Sequence, residues 1–224
     1  MQGKIIFITG TDTGVGKTVF TLYFIKYLKE QGLRVAALKP FSSGGREDAI
    51  SLWEAAGSGL SLDEVNPYWS AEPLAPGAVK TLHGNWTDLS ELAAKIRRVA
   101  TGYDVTLVEG IGGVCVPLPG LGLVSDLIGA LNCGVVLVSK NTLGTLNHTI
   151  LSVRELRRVE CRVGVVVLMD FFASDVSAKT NRIVLSQHLL DVDVIDYPTI
   201  GEEGACKPEV RRIEKLMKKT LASF

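Results

Sequence analysis

Three short segments carry the residue types that handle phosphate. The first, Gly10-Thr11-Asp12-Thr13-Gly14-Val15-Gly16-Lys17-Thr18, follows an apolar run and opens a helical pattern. Its glycines let backbone N–H groups curl around phosphate oxygens, Lys17 brings a point charge to the β- and γ-phosphates, and the Thr18 hydroxyl is a ligand for Mg2+. The strict pattern GxxxxGK[ST] is not met, because counting back from Gly16 puts Thr11 where the first glycine belongs. This is a variant P-loop, with Thr13, Gly14, Val15, Gly16, Lys17 and Thr18 as its expected nucleotide contacts. A glycine-rich turn at a helix start is the bland alternative, and the strand before and helix after argue against it.

The second segment is Lys39-Pro40-Phe41-Ser42-Ser43-Gly44, followed by Asp48. A lysine at the tip of a buried strand would face the rim that holds the P-loop, where it can neutralise charge on a transferring phosphoryl group. Taken alone, Lys39 reads rather as a solvated strand-end charge, and Asp48 rather as a helix cap. The third segment, Val108-Glu109-Gly110-Ile111-Gly112-Gly113, puts a carboxylate at the end of a hydrophobic run, and its glycines let backbone approach a substrate closely. Thr18, Asp48 and Glu109 together offer one hydroxyl and two carboxylates to Mg2+.

The elements that must position these groups are legible from periodicity. Residues 4–9, 35–38, 105–108, 135–138 and 163–168 are short β-branched runs, apolar almost without alternation, as strands buried on both faces are. Between them, residues 18–31, 89–100, 146–159 and 177–190 repeat with helical spacing. This alternation implies right-handed βαβ crossovers: an α/β, single-domain (1–224), doubly wound and mainly parallel sheet with helices on both faces. Residues 41–84 are rich in loop formers and add no second core. Ligands of such sheets bind beyond the carboxyl ends of the strands, where all three segments lie.

Composition narrows the partners. Lys+Arg number 24 and Asp+Glu 24, so the 224-residue chain lacks the cationic excess of a general nucleic-acid binder. Hydrophobic residues make up 46%, which excludes disorder, and no apolar run is long enough for a bilayer. Cys115, Cys133, Cys161 and Cys206 are too scattered for zinc or redox pairs and are expected to be buried thiols. The start, MQGKIIFITG, has no secretory h-region, so a cytoplasmic location is expected. His83, His148 and His188 fit no HExxH or nucleophile pattern.

Taken together, the segments resemble the dethiobiotin synthetases, ATP-dependent ligases that close the ureido ring in biotin synthesis. The resemblance extends through Asn66-Pro67-Tyr68, Glu72-Pro73-Leu74-Ala75-Pro76, Val116-Pro117-Leu118, Asp126 and Leu143-Gly144-Thr145-Leu146-Asn147-His148. It implies that 7,8-diaminononanoate, CO2 and ATP give dethiobiotin, ADP and phosphate through a carbamate and a carbamic–phosphoric anhydride. By position, Thr18, Asp48 and Glu109 would hold Mg2+, and Lys17 and Lys39 would be catalytic. Thr13, Ser43 and Gly110 would lie beside the diamine. Gly144, Thr145, Leu146 and Asn147 match the segment that binds the substrate carboxylate from a neighbouring subunit, which implies a homodimer with its substrate site at the interface. The bland reading of Thr145 and Asn147 is helix capping.

Departures from the family pattern are informative. The usual base-reading Asn-Asp pair is replaced by Met169-Asp170, while Pro198-Thr199-Ile200 matches the other base-contacting segment. A thioether cannot both donate and accept, which motivates the expectation that other nucleoside triphosphates serve besides ATP. The tail from Gly201 matches poorly. Two other readings compete: a P-loop regulatory switch of the partitioning and nitrogenase-reductase class, and a silent paralogue. The first calls for a signature lysine where this chain has Asp12, or for a basic amphipathic membrane helix; residues 208–221, diluted by Glu209 and Glu214, read instead as a solvated helix. The second conflicts with the intact set of Lys17, Thr18, Lys39, Asp48 and Glu109. Lys39→Ala is expected to abolish turnover and leave the fold intact.

Overall fold

The computed structural model describes residues 3–83, 88–120, 122–170, 176–197 and 207–224. Its elements run β1 (Lys4–Gly10), α1 (Lys17–Glu30), β2 (Val35–Leu38), β3 (Phe41–Ser43), α2 (Glu47–Ala56), α3 (Leu62–Val65), β4 (Tyr68–Ser70), α4 (Pro76–His83) and α5 (Leu89–Ala100). They continue with β5 (Val105–Gly113), α6 (Val124–Leu131), β6 (Gly134–Lys140), α7 (Thr145–Arg158), β7 (Val163–Met169), α8 (Ala178–His188), β8 (Asp193–Tyr197) and α9 (Lys207–Ala222). Six strands form one sheet in the order β2-β5-β1-β6-β7-β8, and every pair is parallel. β1 lies at the centre, with β5 on one side and β6 on the other, so the chain reverses its winding there and opens a crevice at the end of β1.

The alternation of side chains along the strands divides the core into two layers. Ile6 and Ile8 of β1 pack with Phe20, Phe24 and Leu28 of α1, Leu52 of α2 and Met217 of α9. Phe7 faces the opposite way, toward Ile96 of α5, Leu127 and Ile128 of α6, and Val153 and Leu156 of α7. Each such fully buried side chain is worth ~1.5–3 kcal/mol relative to exposure. The all-apolar strands therefore have helices on both faces, as their composition requires.

The expected strands are present, and two regions are richer than the sequence suggested. Residues 41–84 contain a second, two-stranded parallel sheet, with Phe41, Ser42 and Ser43 paired to Tyr68, Trp69 and Ser70. Strands of three residues leave no periodic signature. β8 has no such signature, because at the sheet edge Asp193 and Asp196 flank buried Val194 and Ile195 and cut the apolar run short. Cys115 is exposed, contrary to expectation, whereas Cys161 is buried and Cys133 intermediate. Cys206 lies outside the described residues. Among the described residues, no helix is long and apolar enough to cross a membrane.

Candidate active site

The P-loop bends through two left-handed glycines, Gly14 (φ 70°) and Gly16 (φ 93°), at a turn that a side chain at either position would strain. Gly16 is the N-cap of α1 and supplies no side-chain cap, so the first N–H groups of the helix point free into the loop. The Lys17 ammonium folds across this mouth, donating to the Asp12 carbonyl at 2.8 Å and the Gly112 carbonyl at 2.9 Å. Burial, reinforced by the nearby Lys39 charge, pulls its pKa from 10.5 down to about 8. A cation so poorly compensated is poised to gain from an arriving polyanion.

Behind the loop, Glu109 is fully buried, and three donors satisfy it. Thr18 Oγ1 donates to Oε1 at 2.8 Å, Thr21 Oγ1 to Oε2 at 2.6 Å, and Lys39 Nζ to Oε1 at 2.7 Å. Lys39 also lies 3.4 Å from Asp48 Oδ2 and 3.3 Å from the Gly110 carbonyl. Burial alone would lower the Lys39 pKa, but the Glu109 and Asp48 carboxylates outweigh it and hold the group above its ordinary value. Lys39 is thus a buried, charged ammonium rather than a solvated strand-end lysine. Asp48 is the second residue of α2 and caps nothing: the N-cap is Arg46, which makes no side-chain cap bond.

A cavity of about 440 Å3 opens over these groups and is lined by Thr13, Lys17, Thr18, Lys39, Ser43 and Asp48 among others. Gly110 is different. It is buried, a Cβ there would come within 2.9 Å of the Phe7 ring, and its carbonyl accepts from Lys39, which does line the cavity. Gly144 is the N-cap of α7, which likewise lacks a side-chain cap. The Thr145 hydroxyl turns inward to Ser139 Oγ at 2.7 Å, so it neither caps the helix nor faces outward, whereas Asn147 is exposed. Met169 is buried against Gly16, beneath the P-loop. Asp170 accepts from Asn141 Nδ2 at 2.8 Å. Pro198, Thr199 and Ile200 lie outside the described residues.

A protein-family model described as "AAA domain" matches residues 4–195. An ATP-dependent dethiobiotin synthetase of Methanocaldococcus jannaschii is 40% identical over 168 residues, covering 73% of this chain and 78% of the relative. The chain belongs to the dethiobiotin synthetase family. A synthetase of Endomicrobium trichonymphae is 35% identical, covering 82% of this chain and 88% of its own, and one of Bacillus licheniformis is 38% identical, covering 73% and 72%. Dethiobiotin synthetases are ATP-dependent ligases, and the α/β sheet and P-loop found here suit that class. Among solved structures, a plasmid partition protein of Borrelia burgdorferi superimposes with a TM-score of 0.64 at 13% identity over 100% of both chains. A cobyrinic acid a,c-diamide synthase of Mycobacterium smegmatis, with bound ADP and magnesium, gives 0.57 at 12% identity over 96% and 93%. At such identities these two likenesses concern the fold alone.

For a dethiobiotin synthetase the donor set can be tested against Mg2+. Thr18, Asp48 and Glu109 offer only oxygen, the chemistry a hard divalent cation prefers. The Asp48 side chain is 58% exposed and so open to an incoming ion, whereas Glu109 stands behind it at 0%. No group of three or more His, Cys, Asp or Glu gathers among the described residues, so the rest of the shell would come from phosphate and water, as Mg2+ favours. The set fits.

Sequence reasoning missed Thr21 and Asn66. Thr21 stands one turn after Thr18 on the buried face of α1, and a hydroxyl on an otherwise apolar helix face was the available signal. Asn66 was noted only as part of Asn66-Pro67-Tyr68.

Proposed function

We propose that this chain is a dethiobiotin synthetase that joins 7,8-diaminononanoate and CO2, using ATP, into dethiobiotin, ADP and phosphate. The observation that carries this reading is the Lys39 ammonium, buried between Glu109 and Asp48 at the mouth of the P-loop. One substrate amine forms an N–C bond to CO2 and loses a proton to solvent, giving a carbamate. A carbamate oxygen attacks the γ-phosphorus, ADP leaves, and a carbamic–phosphoric anhydride remains. The second amine attacks its carbonyl carbon, loses a proton and expels phosphate.

The chain's own groups position and neutralise. Backbone N–H groups from Thr13 to Thr18 cradle the phosphates. Lys17 leaves its two carbonyls for the β- and γ-phosphate oxygens, and Lys39 faces the transferring phosphoryl and the carbamate. Thr13 and Ser43 offer hydroxyls beside the diamine, and Gly110 contributes its carbonyl to the orientation of Lys39. Thr18, Asp48 and Glu109 would hold Mg2+, which when bound supplies Lewis-acid neutralisation of the triphosphate. Asp170 and the segment Pro198, Thr199 and Ile200 would border the base, and Met169, packed under Gly16, would act there as a floor rather than a reader.

The chain works as a homodimer in this reading. Leu143, just before α7, is 83% exposed, and Leu151, two turns further on, is 53% exposed. A second copy covering this face would bring Gly144, Leu146 and Asn147 to the neighbouring substrate, with Thr145 anchoring the turn from within, and the uncapped N-terminus of α7 suits a carboxylate.

CO2 labelled with oxygen-18 tests the chemistry. The carbamate route sends one CO2 oxygen into the released phosphate. Unlabelled phosphate alongside labelled dethiobiotin would overturn the route.

A further inference from the structure

Lys39 leaves β2 just before Pro40, which confines it to an extended backbone and withdraws one N–H from the next sheet. Its peptide groups must therefore be satisfied from elsewhere. The Lys39 N–H donates to the Val65 carbonyl at 2.9 Å, and the Lys39 carbonyl accepts from Asn66 Nδ2 at 2.6 Å. The same Nδ2 reaches Ser42 Oγ at 3.1 Å, and Asn66 Oδ1 accepts from Arg46 Nε at 3.0 Å. Asn66 is 0% exposed, and both ends of its amide are engaged.

Arg46 closes the arrangement. Its guanidinium also donates to the Asn66 carbonyl at 2.9 Å and the Leu62 carbonyl at 3.1 Å, pairs with Asp63 at 2.9 Å, and stacks over the Trp69 ring. Arg46 is the N-cap of α2, two residues before Asp48. One buried amide thus ties together the backbone that carries Lys39, the β3 strand that carries Ser43, and the helix start that carries Asp48.

We propose that Asn66 is a positioning residue for the reaction, acting through Lys39, with Arg46 as its clamp. It fixes where Lys39 leaves the sheet and hence where its ammonium meets Glu109 and Asp48. This inference rests on the synthetase reading, which the parent enzyme's own dethiobiotin formation tests separately. Nucleotide binding relies on the P-loop, which Asn66 does not touch, so the two should separate.

The test compares Asn66→Ala, Asn66→Asp and Arg46→Ala with the parent, counting folded sites by ADP binding. Asn66→Asp keeps the size and the Arg46 partner but loses both amide hydrogens. The expected result is a fall in kcat per ADP-binding site of about tenfold or more for the Asn66 variants and about threefold or more for Arg46→Ala, with the ADP Kd within about twofold of the parent. A purely structural role would lower Tm and the number of binding sites but leave kcat per site unchanged. If kcat per site stays within about twofold of the parent in every variant that folds, the proposal is overturned. Arg46→Ala, which leaves the Asn66 bonds to the Lys39 carbonyl and Ser42 in place, carries the comparison should neither Asn66 variant fold.

Discussion

The Lys39 ammonium lies 2.7 Å from Glu109 Oε1, and neither side chain is more than 5% exposed. Desolvating both charges is costly, and their attraction plus the hydroxyls of Thr18 and Thr21 roughly repays it. Such a pair contributes little as a unit, yet removal of one partner strands the other.

This relationship revises the expectation for Lys39→Ala. The sequence suggested lost turnover in an intact fold. With Glu109 left buried and unpaired, the variant should also lose ~3–5 kcal/mol of stability in urea unfolding. Turnover should fall about 10²–10³-fold, as when a charge aimed at the transition state is removed. Lys39→Met combined with Glu109→Gln should recover most of the stability and none of the activity. Wild-type turnover in either variant contradicts the role given to Lys39.

Nucleotide binding should be linked to protons through Lys17. Its folded pKa, about 8, lies below the ordinary 10.5, so between these values the unfolded chain holds more protons and stability rises with pH. Phosphate favours the charged ammonium and raises that pKa again. ADP binding at about pH 8.5 should therefore take up a proton, and binding at about pH 6.5 should not. Calorimetry in buffers of different ionisation enthalpy, without added metal, reads this directly. Equal proton counts at both pH values would remove Lys17 from the linkage.

The metal requirement should respond to the two donors that border the cavity. Thr18→Ala and Asp48→Asn should each raise the Mg2+ concentration for half-maximal turnover by about tenfold or more. Titration of initial rates against free Mg2+ measures it. A midpoint unchanged in both variants would remove these residues as ligands.

Dimerisation should depend on the exposed leucines. Leu143→Asp with Leu151→Asp should shift the species seen by light scattering from dimer to monomer, and the KM for the diamine should rise while ADP binding is kept. A dimer that persists with an unchanged KM would place the interface elsewhere.

The sheet was legible because its strands are buried on both faces and therefore apolar throughout. The P-loop and Glu109 were legible because each closes such a run. That Lys39 shares their rim was legible from its place at a strand end; that it is buried against Glu109 was not, since a lysine after a buried strand has the same sequence signature whether it turns to solvent or inward. Only the fold shows that Asp48 and Glu109 flank it. Asn66 was opaque for a different reason: its work is done through main-chain carbonyls, which carry no side-chain signature, in a small sheet too short for periodicity. The packing of Met169 against Gly16 was not legible either, since a methionine after a buried strand carries no sign of what it touches.

Synthetase activity is read from the ratio of dethiobiotin to phosphate. Purified protein is given 7,8-diaminononanoate, bicarbonate, Mg2+ and ATP, and both products are quantified. The expected result is diamine-dependent formation of dethiobiotin in equal amount to the phosphate released. Phosphate release that ignores the diamine, with no dethiobiotin detected by mass spectrometry, would contradict the account.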